Sequence, residues 1–177
     1  MPTQTNWYVV TGTLHSGKTP LINYLSFLGY RTFPEIARLV IDLDMSRGKT
    51  IDEIRQDEFL FQQRINKLKI DKESSMDPIQ PIFLDRGIPD DIAYCRLRGD
   101  SSPYLTEVAR QRIYKQVFIL DPLPFKKDYA RTEDEQTARR IDWLIRDAYG
   151  TLGYLYIPVP IMPLDERAKF ILDSAGI

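Results

Sequence analysis

The chain has 177 residues, with 24 lysines and arginines against 25 aspartates and glutamates, for a net charge of −1. That balance offers no general field for nucleic acid or an anionic membrane; the single cysteine, Cys95, excludes an internal disulfide and a multi-cysteine zinc site, and the single histidine, His15, argues against a histidine-built metal cluster. Apolar content of 43% fits a globular chain, no apolar run approaches the roughly 18 residues that span a bilayer, and no signal-peptide pattern opens the sequence, so one cytoplasmic domain over 1–177 without a membrane partner is expected.

In chain order, Trp7 to Thr11 is a near-continuous apolar run, as a strand covered on both faces requires. A helix follows over about 18–28, with Leu21, Ile22, Leu25 and Leu28 at helical spacing and Gly29 as its stop. A short second strand over 31–33 leads to Pro34, which favours extended geometry before it and can open a helix at Glu35. Two helices fill 35–75, broken near Gly48, the second opening at Thr50 with Glu53 in capping-box spacing.

The third strand is 81–84, with helices to follow over 89–98 and 103–114. The fourth is 116–120, closed by Asp121-Pro-Leu-Pro. A long helix is expected over 132–152, with Thr132 and Glu135 in capping-box spacing and Gly153 as its stop. A fifth strand over 154–159 and a last helix over 163–172 complete the chain. Short strands alternating with longer helices predict an α/β fold around a parallel sheet.

Gly12-Thr-Leu-His-Ser-Gly17-Lys18-Thr19 matches G-x-x-x-x-G-K-[ST] between the first strand and the first helix. Glycines let the backbone curl so that the amides of Thr13, Leu14, His15, Ser16, Gly17 and Lys18 can face phosphate oxygens. The helix start adds the positive end of its dipole. Lys18 is placed for the β- and γ-phosphates and the Thr19 hydroxyl for Mg²⁺. Pro20 falls in the first helical turn, where proline is tolerated. His15 reads as an exposed loop residue near phosphate, or as a direct nucleotide contact.

Ligands of parallel α/β sheets bind at the C-terminal ends of the strands. Three acidic or basic stretches fall at that edge. Asp85-Arg86 ends the third strand, so Asp85 is a candidate metal ligand or proton acceptor and Arg86 a candidate anion contact. Glu35 follows the second strand as a candidate base, with Arg38 one turn on as a substrate contact or ion-pair partner. Arg131, Arg139 and Arg140 lie around the start of the long helix, where arginines can clamp phosphate charge as a lid over about 125–140; an ordinary i,i+4 pair with Glu135 is the alternative for the last two. The stretch about 35–75 is an acceptor-side insert or a core-packing helical segment. Arg96, Arg98, Arg110 and Arg112 form the best candidate partner surface, or a plain solvated face.

Taken in order, the phosphate loop, Phe-Pro-Glu-Ile-Ala-Arg, Leu-Asp-Arg-Gly-Ile-Pro-Asp-Asp-Ile-Ala-Tyr, Val-Phe-Ile-Leu-Asp-Pro-Leu-Pro-Phe, Arg-Thr-Glu-Asp and the tail Val-Pro-Ile-Met-Pro-Leu-Asp-Glu-Arg-Ala-Lys-Phe-Ile-Leu resemble one family. It is the AAA-labelled, kinase-like group of P-loop ATPases, related to nicotinamide-riboside and thymidylate kinases. The resemblance runs from about Trp7 to Leu172. It implies a three-layer P-loop fold with a five-stranded parallel sheet in the order 2-3-1-4-5, and it implies ATP with Mg²⁺. Lys18 and Thr19 match the phosphate and metal residues, Asp85-Arg86 the Asp-Arg pair of thymidylate kinases, Glu35 the base of deoxynucleoside kinases, and Arg131 a lid arginine. The loop interior Thr-Leu-His-Ser departs from the commoner Gly-Pro-Gly-Ser.

The expected function is ATP-dependent phosphoryl transfer to an unidentified small-molecule hydroxyl or phosphate, with Lys18, Asp85, Glu35 and Arg131 as the catalytic set. A nucleotide-driven ATPase acting on a macromolecular partner is the alternative, and a nucleotide-binding module without turnover a third reading.

Overall fold

The structure is a computed structural model that describes residues 1–123 and 135–177. It divides into two compact units, one formed by Met1–Phe33 with Pro78–Ile177, the other by Pro34–Asp77.

The larger unit is built on a five-stranded parallel sheet. Its strands are β2 (Trp7–Thr11), β3 (Thr32–Phe33), β4 (Ile82–Asp85), β6 (Gln116–Leu120) and β7 (Ile157–Val159), in the spatial order β3-β4-β2-β6-β7. In the order of the five strands along the chain this is 2-3-1-4-5, as the family resemblance implies. Every residue of β2 is buried, which explains its unbroken apolar sequence: a central parallel strand has no solvent face. Registers of Val10 with Asp85 and Thr11 with Ile119 bring the ends of β4 and β6 level with the end of β2.

Helices α1 (Lys18–Phe27), α5 (Ile88–Leu97), α6 (Pro103–Ala109), α7 (Glu135–Thr151) and α8 (Leu164–Ala175) belong to the same unit. One core cluster joins Tyr8, Val10, Phe83 and Phe118 of the sheet to Leu21, Ile22 and Leu25 of α1 and to Ala168 and Ile171 of α8. Tyr8 and Phe83 stack across adjacent strands with ring centroids 5.0 Å apart, a pairing that adds to their area burial.

Several boundaries differ from the sequence expectation. β1 (Thr3–Gln4) pairs in parallel with β5 (Arg112–Ile113) as a separate ribbon. Both are two residues long and too short for any periodicity to announce them. The pairing draws Arg112 and Ile113 into extended structure, so α6 ends at Ala109 rather than near Tyr114. The last strand is confined to Ile157–Val159, because only those residues reach β6.

The smaller unit is helical: α2 (Ile36–Ser46), α3 (Ile51–Ile54) and α4 (Glu58–Ser75). Thr50 caps α3 in the expected capping box with Glu53. That helix lasts four residues instead of continuing, because Asp57 accepts from the Leu60 amide and starts α4 anew. Buried Asp44 receives a two-pronged bond from Arg64, at 2.6 and 3.2 Å. That guanidinium holds the Asp44 carboxyl below the usual carboxylate range.

Cys95 on α5 is buried, and loss of hydration raises its thiol above the ordinary value against a smaller lowering by Arg98. Alkylation of the native protein is therefore expected to run at least about tenfold slower than in urea, since reagent must await local opening. A mass-spectrometric time course checks this; equal rates would place the thiol outside the core.

Candidate functional site

Gly12 to Thr19 link the end of β2 to the start of α1. Gly12 has φ 145°, and a Cβ there would lie 2.9 Å from the Leu120 carbonyl oxygen and 3.0 Å from Ser16 Oγ. Conformation and space both demand glycine. Gly17 has φ 88°, and a Cβ there would lie 3.1 Å from Arg167 Nη1. Between them the chain curls around the Lys18 ammonium, which donates to the carbonyls of Gly12 (3.0 Å) and Thr13 (2.6 Å) and to Ser16 Oγ (3.3 Å). Lys18 is only 6% exposed, so a full positive charge sits inside the loop.

The Thr13 hydroxyl is buried and has no hydrogen-bond partner among the described residues. A buried donor of that kind next to a buried cation suits an anionic ligand. Leu14 and His15 are exposed, and His15 has φ 61°, the left-handed region that a side chain seldom adopts. Thr19 and Pro20 are exposed in the first turn of α1. Pro20 is the third helical residue, where no intrahelical acceptor awaits an N–H.

Asp85 ends β4 beside Val10, two residues ahead of Gly12, and is 4% exposed. Arg86 follows at φ 71°, with its amide bonded to the Val10 carbonyl at 3.1 Å. A non-glycine residue held there costs about 1–3 kcal/mol, which its surroundings must offset. Here they do. The guanidinium lies 5.1 Å from the centroid of the Tyr94 ring and 3.5 Å from the Asp90 carboxylate.

Asp90 is fully buried and is the hub of this corner. It receives hydrogen bonds from the Thr11 hydroxyl, from the Gly87 amide at 2.9 Å and from the Tyr149 hydroxyl at 2.6 Å. Burial, then the Asp90 charge, pushes the Tyr149 phenol well above its ordinary value, so it remains a donor. The carboxylate thus ties Thr11, just before the phosphate loop, to Gly87, two residues after Asp85, and to α7.

Glu35 and Arg38 lie in the helical unit. Glu35 is the half-buried residue preceding α2, its side chain making no cap, and Arg38 is exposed. Arg131 lies outside the described residues, as do the Thr132 start of the long helix and most of the stretch read as a lid. Arg139 is on the solvent side of α7, bonded to Glu135 at 2.5 Å with 80% of its side chain exposed. The i,i+4 pair is the arrangement present. Arg96 pairs with Asp147 at 2.5 Å and Arg98 with Asp100 at 3.5 Å, so half of the arginine cluster is already neutralised. No helix among the described residues is long and apolar enough to cross a membrane.

Asp90, Tyr149 and Arg167 join the site without having been singled out in the sequence. Asp90 carried a signal, an acid at the third position of a helix that begins after Gly87, able to reach back to the cap amide. Arg167 carried one too. It occupies the buried stripe of α8 with Ala168 and Ile171, where an apolar residue is the rule. Its Nη1 donates to the Ser16 carbonyl at 2.8 Å.

Comparison with known proteins agrees with this geometry. No curated protein sequence matches significantly. Among solved structures, the NadR protein in complex with NAD and AMP-PNP superposes with TM-score 0.68 at 16% identity, over 98% of this chain and 50% of that one. The chain therefore spans about half the length of NadR. Deoxyadenosine kinase from M. mycoides with bound dCTP gives TM-score 0.62 at 11% identity, over 96% and 98% of the two chains. Thymidylate kinase from Ehrlichia chaffeensis gives 0.60 at 14%, over 98% and 99%. At these identities the likeness establishes the fold, the three-layer P-loop arrangement of nucleoside and nucleotide kinases. A family model described as an AAA domain matches residues 7–167. The chain belongs to that AAA-domain family and is a kinase-like P-loop protein.

Proposed function

We propose that this P-loop enzyme, a kinase or ATPase by class, is a small-molecule phosphotransferase that moves the γ-phosphate of ATP to an acceptor hydroxyl or phosphate. The observation that carries the reading is the buried, curled loop around Lys18 with the Asp85 carboxylate in register beside its entry strand. In the transfer, the bond from the γ-phosphorus to the β-bridging oxygen breaks and a bond to the acceptor oxygen forms. The acceptor's proton passes to a carboxylate, Asp85 or Glu35. Lys18, re-aimed from its loop carbonyls to the phosphates, meets the charge on the transferring group.

Gly12 and the loop through Pro20 form the nucleotide cradle in this reading. Thr19 and Asp85 offer oxygen donors, the kind a hard cation prefers, and are the residues that would hold Mg²⁺; the ion, when bound, offsets phosphate charge. Arg86 and Arg38 are assigned to the acceptor, Arg131 to the transferring phosphate, and Arg139 to substrate only if it leaves Glu135. The helical unit 34–77 is read as the acceptor-side lobe. Names of similar folds support a kinase of small acceptors: deoxyadenosine, thymidylate and shikimate kinases are among them.

The test is incubation with Mg-ATP and a pool of nucleosides, nucleotides and small metabolites, following ADP and new phosphorylated masses together. ADP that forms only with the pool, with a matching mass, establishes the reading. With the acceptor identified, Asp85→Asn or Glu35→Gln is expected to lower kcat by about a hundredfold, the ordinary contribution of general base catalysis. Unchanged transfer in both variants would overturn it.

A further inference from the structure

We propose that Arg167, on the C-terminal helix α8, is a positioning residue of the nucleotide site: its guanidinium locks the Ser16–Gly17 peptide from behind and supplies positive charge that a nucleoside di- or triphosphate compensates. The inference rests on the nucleotide-binding part of the reading above.

Arg167 is 4% exposed, yet among the described residues its side chain makes one hydrogen bond, from Nη1 to the Ser16 carbonyl. Its Nε is buried without a partner, and no carboxylate lies within ion-pair distance among the described residues. A guanidinium cannot shed its proton under such conditions. A buried charge with a single neutral acceptor is costly, and a residue kept for packing alone would be apolar here. The cost is recovered when an anion arrives nearby. Desolvation acts on Arg167 in the same sense, lowering its proton affinity, with Asp121 opposing it more weakly.

The contact point indicates which anion. In a trans peptide the carbonyl and the following N–H point in opposite directions, and the described chain has no cis bond. Arg167 holds the Ser16 oxygen on one side of the plane, which leaves the Gly17 N–H directed to the other. Bonding that oxygen to a cation polarises the peptide and strengthens the N–H as a donor. The same guanidinium abuts the Cα face of Gly17, where a methyl group would lie 3.1 Å away. It thus fixes the position immediately before Lys18 and raises the potential in the loop through a weakly polarisable interior.

The expected effects are opposite for ligand and for fold. In Arg167→Met the free protein melts at the wild-type temperature or above it, while ADP binds about tenfold more weakly, because the positive charge behind the loop is gone. Arg167→Lys, which keeps the charge on a single point, falls between. Calorimetric titration with ADP and melting with and without ADP read both quantities without turnover. Wild-type ADP affinity in Arg167→Met overturns the proposal. So does a fall of its nucleotide-free melting temperature, or failure to fold, because either makes Arg167 a strut of the fold. If the wild-type chain itself binds no ADP, the nucleotide reading fails and the proposal with it. If the wild type binds ADP but no acceptor is phosphorylated, only the kinase assignment falls.

Discussion

Replacing Lys18 with alanine is expected to lower nucleotide turnover by at least about a hundredfold, the usual effect of deleting one preorganised group that meets developing charge. The protein should still fold, because the loop bonds of this side chain lie outside the apolar core cluster of sheet, α1 and α8. Lys18→Arg should not restore the activity. Three acceptors converge on one nitrogen, and a planar fork cannot present a point charge to them. Steady-state ADP production, read beside a melting curve for each variant, separates loss of chemistry from loss of structure. Turnover within tenfold of wild type in Lys18→Ala would remove the loop from the reaction.

The second large effect falls on stability. Asp90→Ala should cost about 3 kcal/mol, as breaking a buried ion pair typically does, and lower the melting temperature by about 10 °C for a chain of this size. The carboxylate has no exposure, and its loss removes an acceptor from the Thr11 hydroxyl, the Gly87 amide and the Tyr149 hydroxyl and an ion-pair partner from the buried Arg86 guanidinium. Tyr149→Phe removes one donor and leaves the carboxylate with the others, so about 1 kcal/mol is expected. The double variant should lose less than the sum, since both changes delete one bond. An Asp90→Ala cost below 1 kcal/mol in a denaturant titration would show that the corner relaxes and that Arg86 is held by Tyr94 instead.

Local signals carried most of the fold and the place of the G-x-x-x-x-G-K-T loop in it. The loop between β2 and α1 was readable because every position has a chemical demand that a short pattern expresses, and the place of Asp85 because an apolar run ends there. The strand order came from family resemblance; periodicity does not encode which strand neighbours which. What sequence reasoning missed has a common cause. Asp90 and Arg167 act through partners far along the chain, Thr11 and Ser16, so the local signal that each carried did not name its partner. The β1–β5 ribbon was hidden for the same reason, as each half is meaningful only when the other is beside it. Arg139 shows the reverse. Its type and place allowed a phosphate contact or an i,i+4 pair with Glu135, and the pair is the contact present.

The position of β2 in the middle of the sheet sets the order of events during synthesis. The phosphate loop emerges ahead of the strands that flank its base, which begin at Ile82 and Gln116, and the arginine behind Ser16 follows 151 residues later. Contacts so distant in sequence close slowly. A nascent chain therefore carries an apolar strand with both edges open until its neighbours are made, the state in which chaperones are most needed. Nucleotide added during refolding should speed the final consolidation and leave the early collapse unchanged.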